Sequence, residues 1–236
     1  SFSTVPYPAI ISTQPRDGEK KVPLYQTVQV IFSAPIEVSS LEDNLTIIPE
    51  PTYVYTYWDD YENALNISMD MEPSTSYTIT IGKEVSDPYG NTLGTDYVFS
   101  FTTKALEPTA YFYGPADIVY NARKDIVTYV AYCNVSRLDF RLYRLDERSF
   151  IERASPSDDD LIKQWSVEVS PPLNKTEVIS MPLSLEGGEP LAPGLYQLVV
   201  ESPETKAERY GGRSSQRLIV ANTNVVLKHT TTEGLV

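Results

Sequence analysis

The sequence predicts an all-β protein built from two antiparallel β-sandwich domains in tandem, with a short helical or irregular insertion in the second domain. Short runs of alternating apolar and polar residues recur along the chain, and turn-forming residues separate them. The 236 residues are 41% hydrophobic and 22% charged, which is sufficient to bury two cores. Together, these observations favour two sandwiches over a disordered chain.

Residues 1–104 form the first predicted domain. Their strand-like runs lie at residues 28–32, 45–48, 65–69, 77–81 and 97–101. Proline residues bound several of these runs, and residues 87–91, Asp-Pro-Tyr-Gly-Asn, form the strongest turn signal. Short strands at this spacing, without a helical period, are typical of an antiparallel sandwich.

Residues 109–222 form the second predicted domain. Residues 126–132 are rich in β-branched and aromatic side chains. The next alternating run places three apolar residues on one face and three others on the opposite face: Leu138, Phe140 and Leu142 against Asp139, Arg141 and Tyr143. A further run alternates at Tyr196, Leu198 and Val200, and residues 218–220 follow. Each run has the period of a half-buried strand.

Residues 146–165 lack strand alternation and predict the insertion. Ser157 precedes three aspartates, which favour the N-terminus of a helix. We expect a short helix that continues through residues 161–163.

The charge distribution supports a boundary at residues 105–108, a predicted linker that ends in a proline. The whole chain has 19 Lys and Arg against 32 Asp and Glu, a net charge of −13. Residues 1–104 contain 5 basic and 14 acidic residues, hence −9, whereas residues 105–236 contain 14 and 18, hence −4. Residues 223–236 are interpreted as the truncated start of a following domain, and both ends resemble cuts in a longer chain.

Composition also excludes several function classes. An acidic surface disfavours nucleic acids and anionic membranes as partners. One Cys and one His exclude an intrachain disulfide and any catalytic set that needs two imidazoles. We therefore expect no enzyme activity, no cofactor and no metal. No signal peptide or membrane-spanning segment is visible.

Two isolated residues are candidates for reactivity, each with a simpler interpretation. Cys133 ends a β-rich run without an adjacent Lys, Arg or His to activate its thiol, so a buried structural cysteine is expected. An interchain disulfide is the lesser alternative. His229 has no local Ser or Cys partner, and a solvated strand residue is expected.

Tyr53, Tyr55 and Tyr57 form the candidate ligand platform. Their alternation places three tyrosines on one face of a strand. An exposed aromatic row suits carbohydrate, because sugar rings stack on aromatic faces. The structural alternative is cross-strand pairing in a solvated sheet.

Acidic groups and glycosylation sequons complete the candidates. The acidic groups are Asp59 and Asp60 with Glu62, residues 158–160, and Asp87 with Asn91. None has the spacing of an EF-hand loop, so solvated turns are expected. Asn-x-Ser/Thr sequons occur at Asn44, Asn66, Asn134 and Asn174.

The first domain resembles a bacterial Ig-like domain of the kind found in surface-layer and cell-envelope proteins. The resemblance rests on residues 15–18, Val22 with Pro23, and residues 28–36, 77–81, 87–91 and 99–103. It implies a spacer that acts outside the cytoplasm.

The second domain resembles an N-terminal macroglobulin-type domain of a bacterial alpha-2-macroglobulin. Residues 129–145 and 193–200 carry the resemblance, and residues 225–228 resemble the opening strand of the next domain in such an array. The implied partners are neighbouring domains of the same longer chain and, through the full-length protein, a target protease.

Family members hold a Cys–Gln thioester and a bait region whose cleavage closes the inhibitor around the protease. Neither can be placed here, because Cys133 is followed by Asn134, Val135 and Ser136, with no Gln three positions on. The resemblance thus implies non-catalytic structural modules of an endopeptidase inhibitor in the periplasm or at the cell surface. The alternative is a cell-surface adhesion or carbohydrate-binding module.

Overall fold

The computed structural model describes residues 6–206, 212–222, 228–229 and 234–235 of the chain. It confirms the all-β fold class. The chain divides into two compact units, with the boundary between Leu106 and Glu107. The last strand of the first unit ends at Thr103, and the first strand of the second begins at Thr109.

The first unit is a sandwich of two four-stranded sheets. Its strands are β1 (Ile10–Gln14), β2 (Glu19–Val22), β3 (Val28–Phe32), β4 (Leu45–Ile48), β5 (Val54–Asp59), β6 (Ala64–Met69), β7 (Ser76–Ile81) and β8 (Tyr97–Thr103). One sheet has the order β1-β3-β6-β5 and the other β2-β8-β7-β4. A 3-10 turn at Val38–Leu41 precedes β4.

The core of this sandwich lies between the inward faces of the two sheets. Alternation on β3 buries Val28, Val30 and Phe32, as the sequence predicts. From the opposite sheet, the rings of Tyr77 and Phe101 stack with centroids 5.8 Å apart. Each such side chain contributes about 1.5–3 kcal/mol by leaving water, so this core dominates the stability of the unit.

The second unit is a sandwich of a three-stranded and a five-stranded sheet. Its strands are β9 (Thr109–Phe112), β10 (Asp117–Asn121), β11 (Ile126–Cys133), β12 (Arg137–Leu145), β13 (Leu161–Glu168), β14 (Glu177–Leu183), β15 (Gly194–Glu201) and β16 (Arg213–Ala221). The sheet orders are β14-β11-β9 and β10-β16-β15-β12-β13. Two short helices, α1 (Glu147–Ile151) and α2 (Pro203–Lys206), accompany the larger sheet.

The core of the second unit includes the predicted face of β12. Leu138, Phe140 and Leu142 are fully buried. Phe140 stacks on Trp165 of β13 with ring centroids 5.1 Å apart and planes 10° from parallel. This is an offset-stacking distance at which an aromatic pair adds stability beyond its buried area.

The opposite face of β12 is also covered at Tyr143. Tyr143 is 3% exposed and packs with Leu145 and Val199, and Phe150 of α1 lies against this cluster. The insertion therefore shields part of the outer face of the sheet. A strand buried on both faces requires this cover.

The helical part of the insertion begins earlier than predicted. Helix α1 is N-capped by Asp146, whose Oδ1 accepts a hydrogen bond from the Ser149 backbone N–H at 2.7 Å. Ser157 does form a capping box with Asp160, but the 3-10 turn ends there. The predicted helix through residues 161–163 is wrong, because these residues open β13.

Lys163 is the reason that the sequence pattern did not predict β13 as a strand. Leu161, Lys163, Trp165 and Val167 are the less exposed positions of an alternating strand, so a lysine occupies an inward site. Its Nζ donates a hydrogen bond to the Ser184 carbonyl at 2.6 Å and lies 5.0 Å from the centre of the Trp165 ring. The long apolar stem of Lys163 packs inward, and its ammonium group hydrogen-bonds to a carbonyl oxygen.

Each sandwich also contains one parallel strand pair, and the other strand pairs of the described residues are antiparallel. The first two strands of each unit belong to different sheets. In the first unit, β1 pairs antiparallel with β3, and β2 pairs parallel with β8. In the second unit, β9 pairs antiparallel with β11 and β10 parallel with β16. Both units thus begin in the same way.

The last part of the chain is described only in two short pieces, the paired strands β17 (Lys228–His229) and β18 (Gly234–Leu235). The predicted start of a following domain at residues 223–236 otherwise lies outside the described residues. None of the described helices has the length and apolar character required to span a bilayer.

Candidate functional site

The predicted tyrosine row lies on the exposed edge of the first sandwich. Tyr55 and Tyr57 belong to β5, which pairs with β6 at the edge of its sheet among the described strands, and Tyr53 immediately precedes it. The three side chains are 55%, 55% and 46% exposed, in chain order 53, 55, 57. The rings of Tyr55 and Tyr57 are 6.2 Å apart with planes 31° from parallel. They form a short aromatic track along the strand.

Trp58 fixes which face of β5 carries the tyrosines. Its ring packs inward on Phe32, with centroids 5.7 Å apart. Because successive side chains of a strand point to opposite faces, Tyr57 and Tyr55 must then point outward. A one-residue slip would bury tyrosines and expose Trp58.

Uncharged polar side chains continue the tyrosine face across the sheet. Tyr57 is registered opposite Asn66 of β6, Asn66 opposite Gln29 of β3, and Gln29 opposite Gln14 of β1. Directly opposed residues of an antiparallel pair share a face. The outer face therefore carries a row of one tyrosine and three amides.

Hydrogen bonds hold the centre of this row. Gln29 Nε2 donates to Asn66 Oδ1 at 3.3 Å and to Glu62 Oε2 at 2.9 Å. Asn66 is 5% exposed, so its amide is largely hidden from solvent. By accepting the hydrogen bond, it orients the Gln29 side chain. A second level of the same face carries hydroxyls, with Ser68 opposite Tyr55.

Two grooves border this amide–tyrosine face. The larger, about 720 Å³, is lined by Ser12, Gln14, Gln29 and Ile31 together with charged residues where β1 gives way to β2. The smaller, about 170 Å³, lies at the other end. It contains the following residues: Tyr25, Gln26, Thr27, Tyr53, Ser68, Met69 and Asp70. Gln26 Nε2 is buried and has no hydrogen-bond partner among the described residues.

Sequence reasoning identified the tyrosines but missed the amides. The missed signal is the period of two in uncharged polar residues at positions 27 and 29 and at positions 66 and 68. Recognising it as one surface requires the pairing of β1, β3, β6 and β5, which lie far apart in the chain.

The isolated candidates occupy separate places. Cys133 is 2% exposed and is a free cysteine, in agreement with the structural interpretation. The side chain of His229 lies outside the described residues, and only its backbone pairing with Gly234 is described.

The acidic candidates organise turns. Asp87 Oδ1 accepts backbone hydrogen bonds from Tyr89 and Asn91, and its Oδ2 accepts one from Asn91 Nδ2 at 2.7 Å. The side-chain bond from Asn91 is the main cause that lowers the pKa of Asp87 below 3.8. Asp59 likewise accepts from the backbone of Tyr61 and Glu62. Within the described ranges, no cluster of His, Cys, Asp or Glu has the arrangement of a metal site.

The sequon asparagines take part in local structure. Asn134 and Asn174 join two loops, because Asn134 Nδ2 donates to Asn174 Oδ1 at 3.1 Å and Asn134 Oδ1 accepts from the Asn174 backbone N–H at 2.8 Å. Asn44 Nδ2 donates to the Ser40 carbonyl. With Asn66 in the amide row, all four side chains have structural contacts.

An ion-pair network lies on the outer face of β12 and β15, beyond the cluster that contains Tyr143. Arg141 pairs with Glu201, and Lys206 Nζ lies 3.1 Å from the same carboxylate. Burial of Asp139 opposes its ionisation, but hydrogen bonds from Ser166 and Arg137 outweigh that effect and lower its pKa. The network places acidic and basic groups together on one partly exposed surface, where the carboxylates are the more buried partners.

Fold and site together define a tandem β-sandwich protein with an exposed aromatic face on its first sandwich. Residues 4–103 match the model of the bacterial Ig-like domain family, in agreement with the sequence resemblance. The comparison with curated protein sequences gave no match.

Solved structures of Salmonella alpha-2-macroglobulin share the fold. Salmonella alpha-2-macroglobulin reacted with methylamine matches with a TM-score of 0.63 at 16% identity, and its Y1175G mutant with 0.62 at 16%. Each match covers 92% of this chain and 13% of the Salmonella chain. The MG0-NIE-MG1 fragment of Escherichia coli alpha-2-macroglobulin matches with a TM-score of 0.47 at 19% identity, over 95% of this chain and 75% of that one.

Proposed function

We propose that the chain is a non-catalytic structural part of a bacterial alpha-2-macroglobulin-like endopeptidase inhibitor that acts in the periplasm or at the cell surface. The observation that carries the proposal is the match of 92% of the chain, including both sandwiches, to the fold of Salmonella alpha-2-macroglobulin. The bacterial Ig-like domain at residues 4–103 supports the extracytoplasmic placement. Neighbouring domains of the longer protein and its target protease are the proposed partners.

The geometry suits a scaffold. Each unit has its own buried core, and the polar groups of its turns are hydrogen-bonded locally, as at Asp87 and at Asn134 with Asn174. Cys133 is buried and therefore is not positioned to serve as an acyl acceptor or donor. We assign any thioester and bait region to sequence beyond these 236 residues.

The test compares three proteins against trypsin: the product of the full reading frame, the same product without residues 1–236, and the 236-residue chain alone. A trap-type inhibitor protects casein from trypsin but leaves cleavage of a small peptide substrate unchanged. We expect this pattern from the full product and no inhibition by the chain alone. Stoichiometric inhibition by the isolated chain, or none by the full product, would contradict the proposal.

The second candidate function is a cell-surface adhesion or carbohydrate-binding module. The specific observation in its favour is that Tyr55 and Tyr57 of edge strand β5, and Tyr53 immediately before it, are all exposed. Glycan-array screening of the chain, with Tyr55→Ala beside it, tests this function. Glycan binding that depends on Tyr55 is the expected result, and an array without any bound glycan counts against it.

A further inference from the structure

We propose that the amide–tyrosine face of the first sandwich binds an extended, uncharged glycan. The inference rests on the second candidate function and names its ligand class and its polar contacts. Tyr53, Tyr55 and Tyr57 would stack on the sugar rings, while Gln14 and Gln29 would hydrogen-bond to their hydroxyl groups.

The tyrosine track fits a chain of sugar rings. Tyr55 and Tyr57 follow one another along β5 with ring centroids 6.2 Å apart, and Tyr53 extends the line by one more position. Aromatic faces carry negative electrostatic potential and attract the C–H groups on the flat side of a sugar. Three rings in line favour an extended oligosaccharide over a single sugar.

The amides supply matched hydrogen-bonding groups. A Gln side chain both donates and accepts, as does each sugar hydroxyl, so Gln14 can satisfy a hydroxyl in either sense. Gln29 already donates from Nε2 to Asn66 and Glu62, so it offers its Oε1 as an acceptor. Both glutamines line the groove of about 720 Å³ beside the row. Because Asn66 accepts a hydrogen bond from Gln29, the Gln29 amide is held in place before any ligand arrives.

The charge pattern selects an uncharged glycan. The first domain has a net charge of −9, and Arg16 is its only arginine. Three acidic residues, Glu62, Asp17 and Glu19, flank the face, against the single cation Arg16 in the lining of the groove. The registered row itself, Tyr57, Asn66, Gln29 and Gln14, is uncharged. An anionic polysaccharide would be repelled by the acidic surroundings.

The experiment measures glycan binding by the complete 236-residue chain in isothermal titration calorimetry. The probes are cellohexaose and chitohexaose, which are extended and uncharged, and hexagalacturonate, which is anionic. The variants are Tyr55→Thr, which keeps a β-favouring residue, Tyr57→Ala and Gln29→Ala. The matched control is Tyr129→Ala, because Tyr129 is a 50% exposed strand tyrosine in the second sandwich. Near-UV circular dichroism confirms the fold of each variant.

We expect at least one uncharged hexasaccharide to bind. Tyr55→Thr and Tyr57→Ala should each weaken this binding at least about tenfold. Gln29→Ala should weaken it also, whereas Tyr129→Ala should not. Binding of hexagalacturonate alone would overturn this inference and leave the carbohydrate-binding function standing. Absence of binding at millimolar concentration would overturn both.

Two further outcomes also contradict the inference. Equal loss of affinity in Tyr129→Ala and Tyr55→Thr would show that the amide–tyrosine face is not the binding surface. Self-association that Tyr55→Thr abolishes, without glycan binding, would assign the face to a second copy of the chain. Analytical ultracentrifugation detects that case. Protease inhibition is measured separately, so neither result depends on the proposed inhibitor function.

Discussion

The inward lysine of β13 gives a sharp test of the second sandwich. Lys163→Met keeps the length of the stem but removes the charge-assisted hydrogen bond to the Ser184 carbonyl, 2.6 Å away. Hydrogen bonds to charged groups contribute about 1.5–3 kcal/mol. The contact with the Trp165 ring at 5.0 Å adds about 0.5–1 kcal/mol. Because the site is only partly buried, we expect the lower end, a loss of about 2 kcal/mol in the free energy of unfolding.

The assay is urea unfolding followed by far-UV circular dichroism. The loss should lower the urea midpoint without changing the slope, because the native fold is retained. Lys163→Arg should recover most of the stability, since a guanidinium can also donate to the carbonyl and stack on the indole. The control is Lys175→Met, which removes the same charge from an exposed position of the same unit.

A midpoint for Lys163→Met that equals the midpoint for Lys175→Met would refute the reasoning. It would mean that the inward lysine contributes no more than a solvated one. A Trp165→Leu background separates the two contacts, because the ring contribution should disappear there while the hydrogen bond remains.

Three further predictions follow from the described contacts. Phe140→Ala should cost about 3–5 kcal/mol in urea unfolding, since Phe140 is fully buried and stacked on Trp165; a cost below 1 kcal/mol would contradict this packing. The folded-state pKa of Asp87 lies below its ordinary value of 3.8, so its stabilisation is present above that pH and is lost as the pH falls through the lower pKa. Asp87→Asn should therefore destabilise at pH 7, and its difference from the unmodified chain should shrink in acid; a constant difference across unfolding curves from pH 7 to acid would oppose this. Cys133 should react with Ellman's reagent only after unfolding in urea, and rapid reaction of the native chain would show that its burial is wrong.

Alternation made much of the fold predictable from sequence. Where one face of a strand is apolar and the other polar, as at Val28–Phe32, the period of two is direct evidence of the strand and of its buried face. The turn at Asp87 was predictable because its side chain bonds to nearby backbone groups, so its signal is local.

The failures came where distant contacts override the local pattern. Lys163 occupies an inward site because its stem packs inward and its charge meets a carbonyl 21 residues away, which no local window reveals. The burial of Tyr143 was not predictable either, because alternation gives only the face on which it lies and the cover comes from Phe150 of the insertion. Lys163 lies in the strand that follows the insertion, and Tyr143 lies in the strand that precedes it.

The candidate site divides in the same manner. The three tyrosines lie at alternate positions over five consecutive residues, two of them within β5 and Tyr53 just before it, and were predictable as one row. The amides join them only through the register of four strands, which places Gln14 and Tyr57 on one face although 43 positions separate them in the sequence. Pairing of this kind is a tertiary property, so composition and periodicity do not reveal it.

The parallel pairing of an early strand with the last strand of each unit has a mechanical consequence. In each unit, a strand near the beginning lies parallel to the strand that ends the sandwich: β2 beside β8, and β10 beside β16. Tension between the two ends of a unit pulls such neighbours in opposite directions along their length. Their hydrogen bonds are then loaded together in shear and do not open one at a time, as they would in a peeled hairpin. Each sandwich is thus built to stay folded when its ends are pulled apart.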